Sequence, residues 1–247
     1  MEFLAIIPAR YASTRFPGKP LALIGGKPMV QCVYERVAAH FAECCVATDD
    51  ERIERAVREF GGRVVMTSPE CRSGTDRCAQ ALEAIEKECG RRFDTVVNIQ
   101  GDEPFVSGEH LEKIRSAFDA EGTQIATLVK KFAASEDIFN PNTPKVAVGA
   151  DGFALYFSRN VIPYLRGVEP DRWQGEYPFY KHIGLYAYRA AVLREITMLP
   201  EGRLERAESL EQLRWLENGY RIKVVETAAE SVSVDTPEDL ERVIAMI

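Results

Sequence analysis

The sequence predicts an α/β protein whose mostly parallel β-sheet is covered by helices on both faces. Its first half alternates short apolar segments with amphipathic ones in the order βαβαβαβ. Strands separated by helices pair in parallel through crossover connections, which places helices on the faces of the sheet. The chain has 247 residues and is 46% hydrophobic, which suffices for one sizeable core or two smaller ones.

In the first half, two types of hydrophobic pattern define the elements. Short segments rich in apolar residues predict strands at residues 3–8, 44–48, 63–67 and 95–100. Helices are predicted at 28–41 and at 50–60, where Ile53, Ala56, Val57 and Phe60 follow helical spacing before a Gly-Gly stop. A third helical stripe runs from Cys78 to Cys89. These elements produce the βαβ alternation.

The second half is less regular. Strands are predicted at 125–129, 145–148, 153–157, 183–188, 222–226 and 232–234, with Asp151-Gly152 as a hairpin turn. One helix is predicted at 207–217, and a closing helix carries Leu240, Val243, Ile244 and Ile247 on one face. Without a linker or repeat, residues 1–247 are predicted to form one domain with an elaborated middle region at about 130–190.

Charge and cysteine content restrict the class of partner. With 31 basic and 38 acidic side chains the net charge is −7, which argues against non-specific nucleic-acid binding. No apolar run approaches the ~20 residues of a membrane helix, so no membrane partner is expected. The six cysteines, at 32, 44, 45, 71, 78 and 89, show neither a CxxC pair nor zinc-ligand spacing, and we expect them to be small buried hydrophobes in a reducing cytoplasm.

A basic loop follows the first strand. Residues 8–20 carry Arg10, Arg15 and Lys19 and no acid. In a parallel α/β sheet, ligands bind beyond the carboxyl ends of the strands, where this loop must lie. The loop therefore favours a polyphosphate or a carboxylated substrate over the alternative of a solvated surface loop. Neither GxxxxGK[ST] nor GxGxxG is present, so a P-loop and a dinucleotide cofactor are not expected.

Two aspartates follow predicted strands. Asp102 comes just after the strand at 95–100, and Asp235 follows the apolar stretch at 232–234. One or two carboxylates together with substrate phosphates are the usual ligands of Mg²⁺, so both are candidate metal ligands. A turn is the alternative for Asp102. Helix capping is the stronger alternative for Asp235, because Asp-Thr-Pro is a typical helix start.

Other polar residues allow two interpretations each. His182 and Tyr186 lie four residues apart on one strand face, where they could line a pocket, or His182 could be structural. Glu211 and Gln212 flank the core side of a helix and could reach a polyhydroxylated sugar or be solvated. Arg159 follows a strand and could be an ordinary surface arginine.

Together these motifs closely resemble those of the 3-deoxy-manno-octulosonate cytidylyltransferase (CMP-KDO synthetase) family of sugar-acid cytidylyltransferases. The resemblance covers essentially the whole chain. The matching segments are PARYASTRFPGKPL from residue 8, SGTDR at 73–77, NIQGDEPF at 98–105, FNPNTPKVAV at 139–148, ALYFSRNVIPY at 154–164, HIGLYAYR at 182–189, LEQLRWLENGYRIKV at 210–224 and VDTPEDLERV at 234–243. Cys71-Arg72 stands where family members often carry a nearby His.

The resemblance implies a three-layer Rossmann-like nucleotidyltransferase fold and an enzyme that transfers CMP from CTP to 3-deoxy-manno-octulosonate (KDO) for lipopolysaccharide synthesis. A homodimer, formed through the middle region, is also implied. By analogy, Arg10, Lys19, Asp102 and Asp235 are catalytic, and Asp102 and Asp235 ligate Mg²⁺. The implied nucleotide contacts are Ala9, Arg10, Lys19, Ser73, Arg77 and Gln100. The implied sugar contacts are Arg15, Gln100, Arg159, His182, Tyr186, Glu211 and Gln212.

Two alternatives to this function stay open. One is a cytidylyltransferase for 8-amino-KDO or a sialic acid. The other is a non-catalytic module that binds nucleotide or sugar on the same fold. The presence of both Asp102 and Asp235 favours an enzyme, because binding a nucleotide alone would not require both carboxylates.

Overall fold

The computed structural model describes residues 1–12, 16–230 and 232–245. The strands are β1 Phe3–Ala9, β2 Leu23–Ile24, β3 Lys27–Pro28, β4 Cys44–Thr48, β5 Val64–Met66, β6 Thr95–Asn98, β7 Ile125–Lys131, β8 Lys145–Val148, β9 Ala154–Ser158, β10 Tyr180–Arg189 and β11 Ile222–Glu226. The helices are α1 Met29–Ala38, α2 Glu51–Glu59, α3 Gly74–Cys89, α4 Gly108–Ser116, α5 Trp173–Glu176, α6 Ala190–Thr197, α7 Arg203–Glu208, α8 Gln212–Glu217 and α9 Pro237–Ile244.

Nine of the described strands form one mixed sheet. Its central order is β11-β7-β10-β6-β1-β4-β5, and the β8–β9 hairpin pairs with β10. The pairs β6–β1, β1–β4, β4–β5 and β11–β7 are parallel, whereas β10 is antiparallel to both β6 and β7. Six strands therefore end at the same edge of the sheet, and β10 begins there. The predicted, mostly parallel sheet is confirmed.

The core consists of two layers, one on each face of the sheet. Along β1, Leu4 and Ile6 pack into one layer, while Ala5 and Ile7 pack into the other. The first layer includes buried residues of α3, α6 and α8, and the second those of α1, α2 and α4. This alternation confirms helices on both faces, because successive side chains of a strand point to opposite faces.

Two predicted elements are wrong. The helix at 207–217 is broken into α7 and α8 at Ser209, whose φ of 50° is left-handed. The guanidinium of Arg159 binds the carbonyl oxygens of Glu208 and Ser209, which replaces helical partners at the break. Residues 232–234 form no strand, although the Val234 N–H donates to the Asp102 carbonyl at 2.9 Å. A single backbone hydrogen bond holds residues 232–234 beside Asp102 but does not make them a strand of the sheet.

The prediction that all six cysteines are buried is also wrong. Cys44, Cys45 and Cys78 are buried, but Cys32 and Cys71 are half-buried and Cys89 is exposed. Cys89 is the last residue of α3 and lies beyond Glu86, the last buried residue of that helix. Burial raises the pKa of the Cys45 thiol to about 12, which keeps it protonated at neutral pH. Ile247, predicted on the face of the closing helix, lies outside the described residues; on that helix Val243 is buried and Ile244 exposed.

Candidate active site

A cleft opens where β1 and β6 end and α3 begins. Eight predicted site residues line it: Ala9, Arg10, Lys19, Ser73, Arg77, Gln100, Asp102 and Asp235. They come from five separate segments that meet at the shared carboxyl edge of the parallel strands, as expected for ligand sites in such sheets. The predicted nucleotide and metal residues are therefore brought together.

Two glycines allow the ends of β1 and β6 and the start of α3 to approach one another. A Cβ on Gly101 would lie 3.0 Å from the carbonyl oxygen of Pro8, and one on Gly74 would lie 3.3 Å from the Gln100 amide. Gly74 is also the first residue of α3, so backbone N–H groups at the positive end of this helix face the cleft. Such a helix start suits a phosphate group.

Lys19 lies between the two aspartates. Its Nζ is 2.7 Å from Oδ2 of Asp102 and 3.4 Å from Oδ1 of Asp235. The turn that positions it begins at Gly18, whose φ of 73° disfavours side chains and whose absent Cβ leaves room for the Tyr11 ring. Asp102, Asp235 and Lys19 thus form one mixed-charge cluster within the cleft.

The structure tests the capping interpretation of Asp235. The residue that caps α9 is Thr236, whose Oγ1 accepts from the Asp239 N–H at 3.2 Å. Asp239 Oδ2 in turn accepts from the N–H groups of Asp235 and Thr236 at 3.1 and 3.0 Å. This capping box uses the backbone of Asp235 and not its carboxylate, which is directed to Lys19 instead. The capping interpretation of the Asp235 side chain is wrong.

Two hydrogen bonds hold the Arg77 side chain at the cleft. Its side chain is buried and donates to Asp49 Oδ2 at 2.9 Å and to Thr67 Oγ1 at 2.5 Å. The pattern SGTDR points to Arg77 but carries no information on these two partners. Arg10, by contrast, is exposed, and its guanidinium has no acidic partner within the described residues.

A second group of polar residues adjoins the cleft through Ser73. Glu211 accepts from Ser73 Oγ at 2.8 Å and from Thr75 Oγ1 at 2.7 Å, and burial raises the pKa of the Glu211 carboxyl. The ring of His182 lies 5.3 Å from that of Tyr186, as the shared strand face predicts. Burial lowers the pKa of His182 to about 4, so the imidazole is neutral at neutral pH.

Two polar atoms of this group lack a partner. The Tyr186 hydroxyl and Nε2 of Gln212 are buried and make no hydrogen bond within the described part of the chain. An unpaired buried polar group costs about 1–3 kcal/mol, so such groups usually mark a ligand or bound water. Burial also raises the pKa of Tyr186 well above its ordinary value, which keeps its hydroxyl protonated as a donor.

One predicted sugar contact, Arg159, does not line the cleft. Arg159 donates from Nε to the Glu208 carbonyl at 2.7 Å and from Nη1 to the Pro141 carbonyl at 3.1 Å. Its backbone N–H and side chain thus bind the turn between α7 and α8. Arg15 lies outside the described residues. Sequence reasoning missed Cys71 and Arg72 as cleft-lining residues; their signal was their position just before the start of α3.

The sheet and the cleft together define a nucleotide-binding α/β protein of the nucleotidyltransferase class, with a basic loop and two strand-end carboxylates at the carboxyl edge of the sheet. A family model described as cytidylyltransferase matches residues 4–224. The chain belongs to the cytidylyltransferase family.

Relatives and solved structures agree with this assignment. The chain is 58% identical to the 3-deoxy-manno-octulosonate cytidylyltransferase of Parabacteroides distasonis, covering 100% of this chain and 98% of the relative. It is 48% identical to the enzyme of the same name from Geobacter sulfurreducens, covering 99% of this chain and 98% of the relative. A solved CMP:2-keto-3-deoxy-manno-octonic acid synthetase complexed with CTP is 43% identical, with a TM-score of 0.90 and coverage of 100% and 98%.

A more distant structure is similar in fold alone. The 4-diphosphocytidyl-2C-methyl-D-erythritol synthase of Anaerococcus prevotii is 15% identical, with a TM-score of 0.61 and coverage of 99% and 98%. Within the described residues, no helix is both long and apolar enough to span a bilayer. Within the same residues, no group of three or more His, Cys, Asp or Glu side chains is arranged as a metal site.

Proposed function

We propose that this protein transfers CMP from CTP to the anomeric hydroxyl of KDO and releases pyrophosphate. The observation that carries the proposal is the meeting of Arg10 and Lys19 with Asp102 and Asp235 in one cleft beside the Glu211 group. Full-length similarity to KDO cytidylyltransferases, and to a synthetase solved with CTP, supports the choice of both substrates.

The nucleotide fits the β1–β6 part of the cleft. Arg10 and Lys19, with the backbone N–H groups at the start of α3, face a common space in which a triphosphate would be neutralised. Nucleotidyl transfer depends mainly on in-line placement and on stabilising charge on the departing pyrophosphate. Arg10 and Lys19 would perform the second task, and Ala9, Ser73, Arg77 and Gln100 would hold the nucleotide in line.

Asp102 and Asp235 would hold Mg²⁺. Two carboxylates already share one cation, the Lys19 ammonium, which shows that the donor set attracts positive charge. Two oxygen ligands fall short of an octahedral shell, and this deficit suits Mg²⁺, which usually takes its remaining ligands from substrate phosphates and water. When bound, the ion would supply charge neutralisation at the phosphates.

The sugar acid fits the second group of residues. Glu211 offers carboxylate oxygens to sugar hydroxyls, and the Tyr186 hydroxyl and Nε2 of Gln212 offer donors that have no partner among the described residues. His182, neutral at neutral pH, would complete this wall, and Gln100 would contact the sugar acid from the cleft side. Arg15 is assigned to the sugar acid by the family resemblance alone. Arg159 supports the turn that carries Glu211, so we assign it a positioning role in sugar binding.

The cellular role follows from the proposed reaction. CMP-KDO is an activated sugar for lipopolysaccharide synthesis, and six unpaired cysteines favour the reducing cytoplasm as its site. We further propose a homodimer formed through the middle region. There Tyr164 and Phe139 are exposed, and their rings pack against that of Trp173. An exposed aromatic surface of this kind is typical of protein contacts.

Pyrophosphate release tests the proposed reaction. The protein is mixed with Mg²⁺ and CTP and with KDO, 8-amino-KDO or N-acetylneuraminate. We expect release with KDO, and none when Mg²⁺ is removed with EDTA. Turnover with the amino sugar or sialic acid alone would select that rival substrate, and no turnover with any sugar would favour a non-catalytic binding module.

Tyr186→Phe separates binding from stability. Removing a buried hydroxyl that lacks a partner should raise the free energy of unfolding by about 1 kcal/mol. The same change should raise the KM for KDO roughly tenfold, because a hydrogen bond to the sugar is lost. Urea denaturation and steady-state kinetics measure the two effects.

The control for Tyr186→Phe is Tyr220→Phe, which removes a hydroxyl bonded to Glu195 at 2.8 Å on the protein surface. It should change neither the KM for KDO nor that for CTP. An unchanged KM in Tyr186→Phe would remove Tyr186 from the sugar site.

A further inference from the structure

Lys19 occupies the position between Asp102 and Asp235 that a bound cation would take. The two aspartates are distant in sequence, and the bond from the Val234 N–H to the Asp102 carbonyl, at 2.9 Å, holds their segments side by side. The Lys19 side chain is only 13% exposed, against 29% for Asp102 and 39% for Asp235. The ammonium is therefore inserted beneath the carboxylates rather than paired with them at the surface.

An ammonium ion and a hard dication compete for the same oxygen atoms. Nζ of Lys19 lies at hydrogen-bond distance, 2.7 Å, from Oδ2 of Asp102, and an ion that both carboxylates ligate must displace this contact. Lysine can make such a move because its charge is compact and its four-carbon stem is flexible. Arg10 lines the same cleft but has no acidic partner within the described residues, so it can meet an anion without releasing one.

We infer that Lys19 is an exchangeable counterion: it neutralises Asp102 and Asp235 in the free protein and moves to the triphosphate when the dication binds. This inference rests on the proposed function. Without nucleotide, Lys19 has no better partner and weakens metal binding. With nucleotide, the phosphates offer that partner, so nucleotide and dication bind cooperatively. By thermodynamic linkage each raises the affinity of the other by the same factor.

Mn²⁺ binding to the full chain without nucleotide tests the exchange, with free Mn²⁺ counted by electron paramagnetic resonance. We expect Lys19→Met to bind Mn²⁺ about tenfold more tightly than the wild-type protein, because the Lys19 ammonium then no longer competes for the oxygen atoms of Asp102 and Asp235. Lys19→Met/Asp102→Asn should lose this gain, which places the ion at the carboxylates. The complex of wild-type protein and CTP should bind Mn²⁺ more tightly than either the protein alone or CTP alone.

Arg10→Met is the matched control for charge. It removes one positive charge from the same cleft without removing a contact to either aspartate, so its gain in Mn²⁺ affinity should be much smaller. Thermal unfolding provides a second measurement in case Lys19→Met is less stable than the wild-type protein. The increase in Tm on adding Mn²⁺ should be larger for Lys19→Met than for the wild-type protein.

Equal Mn²⁺ affinities in the wild-type protein and Lys19→Met would overturn the exchange, and so would equal gains in Lys19→Met and Arg10→Met. Neither result touches the proposed reaction, which pyrophosphate release by the wild-type protein decides separately.

Discussion

Asp235→Asn is expected to lower kcat for CMP transfer about 10²–10³-fold, the size of effect seen when one group that stabilises transition-state charge is removed. The free energy of unfolding should change little. The α9 cap is formed by Thr236 and Asp239, and the amide of Asn occupies the same volume as the carboxylate. Pyrophosphate release and urea denaturation measure the two quantities.

The matched control for this variant is Asp119→Asn, an exposed aspartate of a 3₁₀ turn remote from the cleft. It makes the same chemical change and should leave kcat unaltered. Raising the Mg²⁺ concentration should not restore the kcat of Asp235→Asn to the wild-type value. Wild-type kcat in Asp235→Asn would refute the metal role.

Arg214→Met is expected to lower the free energy of unfolding by about 3–5 kcal/mol, because it leaves the Glu205 carboxylate buried without its counterion. The Arg214 guanidinium binds both oxygens of Glu205, from Nε at 2.7 Å and from Nη2 at 2.6 Å, with 7% and 10% of the two side chains exposed. Burial alone would raise the pKa of Glu205, yet the bonds from Arg214 hold it below its ordinary value. Urea denaturation measures the loss.

Two comparisons make this prediction specific. Glu205→Met/Arg214→Met should recover much of the stability, because the uncompensated charge is gone. Arg172→Met breaks a pair with Glu176 of the same 2.6 Å length, but those side chains are 66% and 47% exposed, so stability should hardly change. Simple addition of the two single effects in the double variant would contradict the account.

The same ion pair links stability to the sugar site. It holds α7 against α8, and Glu211 lies in the turn between them, where it reaches Ser73 and Thr75. We therefore expect Arg214→Met to raise the KM for KDO as well, even though Arg214 makes no contact that the transfer requires.

Much of the fold could be predicted from local pattern. Cys44–Thr48 and Ile222–Glu226 have the predicted bounds, since a short segment rich in apolar and β-branched residues between turns favours a strand. The break at Ser209 could not be predicted in this way. The apolar spacing of Leu210, Leu213 and Leu216 suits one continuous helix, whereas the bonds from Arg159, far away in sequence, favour the left-handed turn.

The candidate site shows the same division. From the sequence one can read that a basic loop and two aspartates follow apolar segments, and the direction of parallel strands makes loops after strands share one edge of the sheet. The tertiary structure decided which of these groups touch: Lys19 lies between Asp102 and Asp235, and Thr236 rather than Asp235 caps α9. The two kinds of interaction act over different distances along the chain. Hydrophobic period and turn chemistry act over a few residues, whereas contacts between charges depend on where the packed core places segments that are distant in the chain.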